Sequence, residues 1–378
     1  MLNMRSANGR RRPINTSPEQ DLIDILLAHA KEEGATDLHL CPGSRPMLRV
    51  NGRLAEVAAL NDSPTDKLTP AEILATMDSL LDEKKSLRLE NERVLDFSFS
   101  KYGLGRFRAN IYSQRGTYAM AVRRLPFEVP RFADLGLPPA IEAFTSRTKG
   151  LFLATGATGS GKSTTLASMI DLINDVYSYH ILTIEDPIEY LHRHKKSLVT
   201  QREIGEDADS FAQALRSALR EDPDVIMMGE MRDPETISIA MTAAETGHLV
   251  FSTLHTVGAA KTIDRVVDAF PTAQHSQVRS QLAAVLEGVV SQQLIPRADG
   301  AGFAVASEVL FVNHAVRNLI REGKHYQINS VIQTGQAQGM HVLEADLVRL
   351  YDAGVIEMDE VYARAQDMQL LQQYLGKQ

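Results

Sequence analysis

The chain has 378 residues, 44% of them hydrophobic, and is therefore long enough to bury the cores of two domains. Its 40 basic and 48 acidic residues give a formal net charge of -8, and this acidic balance argues against nucleic acid as the principal partner. The single cysteine, Cys41, excludes an internal disulfide, and no run of about 18 apolar residues predicts a membrane span, so we expect a cytoplasmic protein that meets a membrane only through partners.

The first part of the N-terminal region contains four local signals. Residues 1–18 carry several arginines without a following apolar stretch, which predicts a disordered basic tail. Ser17-Pro18 is typical of a helix start. Asn51-Gly52 separates two segments of alternating polarity and predicts a hairpin, and Thr69 and Glu72 have the spacing of a capping box, which predicts a second helix.

The remaining elements divide the chain into two domains of α/β class. Alternating residues in the segment 96–124 predict strands that complete a small mixed domain over residues 19–125. The prolines in residues 126–139 predict a linker. In residues 140–378, short apolar strands alternate with helical segments, which predicts a parallel sheet with crossover helices and a helical C-terminal end. The expected strands are 151–155, 180–184, 225–228 and 248–252.

A glycine-rich segment follows the strand that is expected to end at Thr155, and a helical run comes after it. Its glycines let successive backbone N–H groups turn towards phosphate oxygens, and the helix N-terminus adds positive potential there. Lys162 can neutralise the outer phosphates, and the Ser163 hydroxyl is placed to bind Mg²⁺. The alternative is an ordinary glycine-rich turn with an incidental lysine. The predicted nucleotide-binding residues are Gly156, Ala157, Thr158, Gly159, Ser160, Gly161, Lys162, Ser163 and Thr164.

Glu230 follows the apolar strand that is expected to end at Met228, and it is the candidate catalytic residue. The carboxyl ends of strands in an open parallel sheet lie on the ligand side, so this carboxylate can orient or activate an attacking water. The preceding residue is Gly229, where such strands usually carry an aspartate. The alternative is a surface glutamate, and we assign Arg232 and Asp233 to the boundary of the next helix.

Three further carboxylates, those of Glu185, Asp186 and Glu189, follow the strand that is expected to end at Ile184. Magnesium in proteins is held through water and one or two carboxylates. This segment can therefore take the role of the missing aspartate, and we expect Glu185 and Ser163 to be metal ligands. The alternative is a polar loop interrupted by a proline.

Two histidines, His248 and His255, stand at the ends of the next expected strand. A lone histidine in such a place is usually structural. A pair can instead sense the terminal phosphate or couple hydrolysis to movement, and we predict this functional role.

Together these segments resemble one family, the secretion and type IV pilus motor ATPases, and within it the retraction ATPases called PilT. The resemblance covers nearly the whole chain. Extension and type II secretion relatives usually carry a four-cysteine zinc module, which a single cysteine excludes. The segments that carry the resemblance are 35–40, 105–110, 156–163, 183–189, 229–233 and 248–255, together with 315–322, which is similar to the C-terminal signature of the retraction branch.

The resemblance implies a PAS-like N-terminal domain, followed by a RecA-like P-loop ATPase domain with a helical C-terminal cap. It also implies that ATP and Mg²⁺ are the cofactors and that Glu230 is catalytic. In the same way, Glu185 and Glu189 are expected to support water or magnesium, and His248 and His255 are expected to lie near the phosphates.

In this family the N-terminal domain brings arginines to the phosphates. The candidates here are Arg106, Arg108, Arg123 and Arg124, of which we select Arg106 and Arg123 as catalytic. An arginine in this position contributes about 10³–10⁵ in rate.

The resemblance further implies a homo-hexameric ring that hinges at residues 126–139. Such a ring disassembles pilin filaments at an inner-membrane platform protein and so powers pilus retraction and twitching motility. One alternative is an accessory retraction paralogue that binds nucleotide but barely hydrolyses it, or an extension or type II secretion ATPase. Another is a RecA-like nucleic-acid motor, against which the acidic balance argues.

Overall fold

The computed structural model describes residues 21–57, 59–60, 63–64, 66–126 and 128–376. The expected basic tail, residues 1–18, and the expected helix start at Ser17 lie outside these ranges. The described residues form two compact units, one that ends at Leu125 and one that begins at Pro126. Within the described ranges, no helix is both long enough and apolar enough to cross a membrane.

In the described residues, the first unit combines three helices with an antiparallel sheet. Its elements are α1 (Leu22–Glu32), β1 (Asp37–Leu40), β2 (Met47–Val50), β3 (Arg53–Glu56), β4 (Ala59–Leu60), β5 (Ser63–Pro64), α2 (Pro70–Asp78), α3 (Glu83–Glu92), β6 (Val94–Lys101), β7 (Gly105–Gln114) and β8 (Thr117–Arg124). Six strands lie in the order β3-β2-β1-β8-β7-β6, and β4 pairs with β5 separately.

Two local predictions in the first unit are confirmed. Asn51 and Gly52 have φ values of 49° and 79°, the left-handed conformation that a two-residue hairpin turn needs, and they join β2 to β3. The Thr69 side chain accepts a hydrogen bond from the Glu72 N–H, and the Glu72 carboxylate accepts one from the Thr69 N–H, which is the predicted capping box.

The two faces of this sheet differ in character. Leu38 and Val122 lie in register on β1 and β8 and pack in the core formed with the three helices. Because side chains alternate along a strand, the neighbouring row, in which Asp37 faces Arg123 and Arg123 faces Arg108, lies on the opposite face. The opposite face is therefore polar and holds ion pairs.

The ion pair of Asp37 with Arg123 makes the stability of the first unit depend on pH. Arg123 Nε lies 2.8 Å from Asp37 Oδ1. Burial raises the pKa of Asp37, but hydrogen bonds from Arg123 and Thr36 outweigh burial and hold the pKa below its ordinary value of about 4. This stabilisation is therefore complete above pH about 4 and is lost as the pH falls through the lowered pKa.

We expect Asp37→Asn to lower the free energy of unfolding by about 1–3 kcal/mol at pH 7 and by much less near pH about 2. Urea unfolding at the two pH values measures this difference. Asp96→Asn is the control, because Asp96 pairs with Arg108 at 3.7 Å on an exposed part of the same face. An equal loss at both pH values would contradict the electrostatic origin.

The second unit is larger and combines ten helices of the described ranges with a seven-stranded sheet. Its elements are β9 (Gly150–Thr155), α4 (Lys162–Val176), β10 (His180–Glu185), β11 (Leu198–Glu203), α5 (Phe211–Ala218), β12 (Val225–Met228), α6 (Pro234–Glu245), β13 (Leu249–Leu254), α7 (Ala259–Asp268), α8 (His275–Val285), β14 (Leu286–Pro296), β15 (Phe303–Phe311), α9 (His314–Glu322), α10 (Ile328–Thr334), α11 (Leu343–Asp352), α12 (Met358–Arg364) and α13 (Met368–Leu375). Short 3-10 helices occupy Phe132–Asp134, Pro139–Phe144, Thr272–Gln274, His325–Gln327 and Gln336–Gln338.

The strands of the second unit lie in the order β11-β10-β12-β13-β9-β14-β15. All neighbours are parallel except β14 and β15, which are antiparallel. The predicted parallel sheet with crossover helices is thus confirmed, as is the α/β class. The expected C-terminal helices correspond to α11 and α12.

Helices pack on both faces of this sheet. Because its central strands are buried between them, these strands contain no charged residue. Every residue of β9, β12 and β13 is buried, as expected for a parallel sheet with helices on both sides. Phe152 and Phe251 pack towards α4 on one face. Leu153 and Val250 pack towards α6 and α7 on the other. This packing fixes the strand ends at which the polar segments emerge.

Candidate active site

The glycine-rich segment, residues 156–163, forms a tight loop between β9 and α4. We call it the phosphate loop. Gly156, Gly159 and Gly161 have φ values of 140°, 78° and 90°, which other residue types rarely adopt. Helix α4 begins at Lys162, so its first N–H groups point towards the loop. The loop therefore has the conformation that an anion-binding helix start requires.

Gly156 is required for close packing as well as for its backbone conformation. A Cβ atom at this position would overlap the Gln292 carbonyl oxygen and lie 2.5 Å from Ser160 Oγ. Gln292 also donates from Nε2 to Thr165 Oγ1 at 2.9 Å, so β14 is tied to α4 below the loop. The loop is thus held by buried contacts on its underside.

We expect Gly156→Ala to lower the Tm of the chain by about 5–10 °C, because steric overlap and backbone strain each cost about 1–3 kcal/mol. Differential scanning calorimetry measures the shift, and titration with ADP should show weaker binding. Gly300→Ala is the matched control: φ at Gly300 is 71°, and no atom lies within 4 Å of its added Cβ. Equal shifts for the two variants would contradict the packing role.

Lys162 lies folded against the phosphate loop. Its Nζ donates hydrogen bonds to the carbonyl oxygens of Gly156 and Ala157 at 2.9 and 2.8 Å. Burial lowers the pKa of Lys162, and the negative charges of Glu189 and Glu230 partly oppose this shift. The structure therefore brings the loop lysine together with carboxylates from the ends of β10 and β12.

Glu230 lies just beyond β12, and its side chain is only 13% exposed. Its Oε2 atom lies 2.6 Å from Arg232 Nε and 3.3 Å from His255 Nε2. Asp233 caps α6 by accepting from the Thr236 N–H, as the sequence predicts. Arg232 was assigned to the same boundary, but the structure places its guanidinium on Glu230, a contact that the sequence does not reveal.

Glu185 ends β10 and is buried. Burial raises the pKa of its carboxyl group, although hydrogen bonds from Thr183 and Gln201 lower it in part. Thr183 Oγ1 donates at 2.7 Å and Gln201 Nε2 at 3.1 Å to the same oxygen, Oε1. The side chain of Ser163 is exposed at the start of α4. In the described residues, no group of three or more histidine, cysteine or acidic side chains could hold a metal ion unaided.

The two predicted histidines lie at opposite ends of β13. His255 follows the strand and reaches Glu230, whereas His248 precedes it and accepts a hydrogen bond from the Gly150 N–H with its carbonyl oxygen. Because β13 and β9 are parallel, His248 lies at the end of β9 that is remote from the phosphate loop, roughly 20 Å from His255. The expectation that His248 lies near the phosphates of the same chain is therefore wrong for this structure: strand β13 starts at Leu249 and separates them.

The selected arginines of the first unit lie on its polar sheet face. Arg106 donates from Nη2 to Ser98 Oγ at 2.5 Å. Arg123 pairs with Asp37, and its side chain is 68% exposed. Arg108 lies 3.7 Å from Asp96. These positions describe the first unit alone.

Two residues near the site, the buried Tyr190 and the half-buried Gln201, carried no sequence signal that singled them out. The Tyr190 hydroxyl lies 3.0 Å from Thr164 Oγ1, on the first turn of α4. The Gln201 side chain bonds to the Glu185 carboxylate and to the backbone of Tyr190 and His192, in the loop that follows Glu185. Both contacts join elements that are distant in sequence, so a local pattern could not have shown them.

A loop that exposes backbone N–H groups at a helix start, with a lysine inside it and a glutamate at a neighbouring strand end, defines the class of P-loop ATPases. Comparison with known proteins refines this class. Residues 14–374 match the pattern of the Type II/IV secretion system protein family. The chain belongs to this family.

Relatives within the family are similar over most of their length. The chain is 46% identical to the type IV pilus retraction ATPase PilT of Pseudomonas aeruginosa over 343 residues, which cover 91% of this chain and 98% of the relative. It is 47% identical to a twitching motility protein of Neisseria gonorrhoeae over 322 residues, which cover 85% of this chain and 84% of the relative. The predicted resemblance to the retraction ATPases is therefore confirmed.

A solved structure supports the same conclusion. A crystal structure of the pilus retraction motor PilT with bound ADP superimposes with a TM-score of 0.87 at 48% identity, covering 94% of this chain and 100% of that one. An ADP-bound relative of this similarity supports nucleotide binding in this chain.

Proposed function

We propose that the chain is an ATP-hydrolysing motor that powers retraction of a type IV pilus. The observation that carries the proposal is the position of Lys162, which lies inside the phosphate loop and within the field of both Glu189 and Glu230. A nucleotide phosphate and an attacking water need cationic and carboxylate groups at one place. The similarity to PilT supports pilus retraction as the work performed.

The residues at the loop fit ATP together with Mg²⁺. The loop N–H groups and Lys162 bind the phosphates, and Ser163 with the carboxylate of Glu185 would hold the ion. A hydroxyl and one carboxylate suit Mg²⁺, which keeps water and phosphate oxygens as most of its ligands. When bound, the ion neutralises charge that develops on the phosphates.

Glu230 orients the attacking water and accepts its proton. Arg232 and His255 both contact its Oε2 atom, which limits the rotation of the carboxylate. Glu189 places a second negative charge near Lys162, which opposes the lowering of the lysine pKa by burial. His248 has no role in this site because of its position before β13.

The finer architecture follows the same relatives. We assign the unit that ends at Leu125 to a PAS-like domain over residues 19–125, residues 126–139 to a linker, and residues 140–378 to a RecA-like ATPase domain with C-terminal helices.

We also propose that six copies form a ring at the cytoplasmic face of the inner membrane. In such a ring Arg106 and Arg123 of one copy reach the phosphates held by a neighbour, and differential contacts in the two nucleotide states move a hinge in residues 126–139. The partners are the platform protein and the pilin machinery, with a retraction paralogue as a further one. Because each site needs arginines from a neighbouring copy, ATP turnover depends on assembly of the ring.

Steady-state phosphate release by the purified chain, together with negative-stain images with and without nucleotide, tests both parts of the proposal. Rings that release phosphate support it. Rings that bind ADP but do not release phosphate favour the accessory paralogue instead. DNA that binds in a salt-dependent way and stimulates turnover would favour a nucleic-acid motor.

A further inference from the structure

The acidic segment, residues 185–192, leaves the sheet at the end of β10 and carries Glu189 past the phosphate loop. Residues 186–192 adopt neither helix nor strand. A loop of this kind has many accessible conformations, and ordering it costs conformational entropy. Side chains from neighbouring elements must therefore fix its course if Glu185 and Glu189 are to act in turnover.

A single side-chain amide, that of Gln201, contacts the acidic segment at three places. Gln201 Nε2 donates to Glu185 Oε1 at 3.1 Å and to the Tyr190 carbonyl oxygen at 2.9 Å. Its Oε1 accepts from the His192 N–H at 2.8 Å. An amide has two N–H donors and a carbonyl acceptor, so both of its ends are engaged with the segment.

The position of Gln201 is itself fixed by the sheet. It lies on β11, in register with Thr183 on the neighbouring strand β10. Thr183 donates to the same Glu185 oxygen at 2.7 Å. The hydrogen-bond ladder between β10 and β11 therefore sets the distance from the Gln201 amide to the Glu185 carboxylate. Because the same amide bonds to the loop, it also fixes the distance of the loop from the sheet.

Two further contacts hold the segment on either side of Glu189. The Ile188 N–H donates to Glu203 Oε2 on β11 at 3.1 Å. On the other side, the Tyr190 hydroxyl lies 3.0 Å from Thr164 Oγ1 on α4. The residues on either side of Glu189 are thus held by the sheet and by α4, the helix that begins at the phosphate loop. The negative charge of Glu189 opposes the lowering of the Lys162 pKa by burial.

We propose that Gln201 is a positioning residue for ATP turnover: through its amide, strand β11 fixes the Glu185 carboxylate and the course of the loop that carries Glu189 beside the phosphate loop. The inference rests on the proposed ATPase function of this site. Gln201 bonds to the Glu185 carboxylate and to the loop that carries Glu189, and it acts on the site through these two carboxylates. A misplacement of about 1 Å in such a group can lower a rate by about 10²-fold.

Gln201→Glu tests this role in the full chain. The change keeps the size of the side chain and the oxygen that His192 bonds, but it replaces the two N–H donors with an oxygen that faces Glu185 and the Tyr190 carbonyl. We expect kcat for ATP to fall by about 10–100-fold, while the Kd for ADP and the ring assembly remain within about twofold of the parent. The loop N–H groups that bind the phosphates are unchanged, so binding and turnover should separate.

Gln281→Glu is the matched control. Gln281 Nε2 also donates to a glutamate, Glu245 Oε2, at 2.9 Å, but on exposed helices of the same unit. Gln281→Glu also places two carboxylates side by side, but away from the phosphate loop. We expect its kcat to equal that of the parent.

The outcomes separate the inference from the function on which it rests. If the parent chain releases phosphate but Gln201→Glu does so at an equal rate, the positioning role is refuted and the ATPase stands. If Gln201→Glu does not fold, Gln201→Leu, which adds no charge, replaces it. Parallel losses of kcat, ADP binding and Tm in Gln201→Leu would show a purely structural role and also refute the inference. A parent chain without turnover would overturn both proposals.

Discussion

Lys162→Ala should reduce ATP turnover on the order of 10²–10³-fold. The lysine is the cationic side chain inside the phosphate loop, where its Nζ lies against the carbonyl oxygens of Gly156 and Ala157. Burial reduces the screening of its charge by water, so its effect on phosphate oxygens is larger than that of an exposed lysine. Alanine removes this charge and leaves the loop backbone in place.

Phosphate release at saturating ATP measures the effect of Lys162→Ala, with circular dichroism and Tm to show that the fold is retained. Lys149→Ala is the control, because Lys149 is an exposed lysine directly before β9, at the other end of the same strand. Turnover in Lys162→Ala at a rate close to that of Lys149→Ala would refute the assignment of the phosphate loop.

The sequence was most informative where local chemistry alone determines structure. The apolar strands β9, β12 and β13 are buried on both faces and so read as continuous apolar runs. The hairpin at Asn51-Gly52 and the cap at Thr69 depend on residues that are adjacent or three apart. Such features need no knowledge of the rest of the fold.

Strands at the edge of the second sheet were not predicted, for a physical reason. Strand β11 is an edge strand in which Gln201, Arg202 and Glu203 are polar or charged. The Gln201 and Glu203 side chains bond to the acidic segment, and that of Arg202 bonds to Glu221 beyond the end of α5, instead of packing in a core. An apolar periodicity is therefore absent, although the residues are essential to the local structure.

In the candidate site, too, some residues could be predicted from the sequence and others could not. The loop glycines, Lys162 and Glu230 follow from motif and strand order, since carboxyl ends of parallel strands share one edge. The contact of Arg232 with Glu230 and the three bonds of Gln201 depend on side-chain directions that no local pattern encodes. His248 shows the converse: it precedes β13, at the end of the strand that is remote from the phosphate loop, and the order of the motifs along the chain did not reveal this distance.

Glu230→Gln should lower kcat by about 10²–10⁴-fold, the range that a general base contributes. The amide has nearly the size of the carboxylate but cannot accept a proton from water. It also loses the charge that Arg232 and His255 contact, so the water-orienting geometry is weakened in the same step. Nucleotide binding depends on the loop N–H groups and Lys162, and we expect the Kd for ADP to change by less than about threefold.

Single-turnover phosphate release measures the effect of Glu230→Gln on the rate of hydrolysis, and ADP titration measures its effect on nucleotide binding. Glu235→Gln is the matched control, because Glu235 lies in the first turn of α6, is exposed and pairs with Arg216. We expect it to hydrolyse ATP as the parent does. If Glu230→Gln retained the turnover of Glu235→Gln, the assignment of Glu230 as the general base would be refuted.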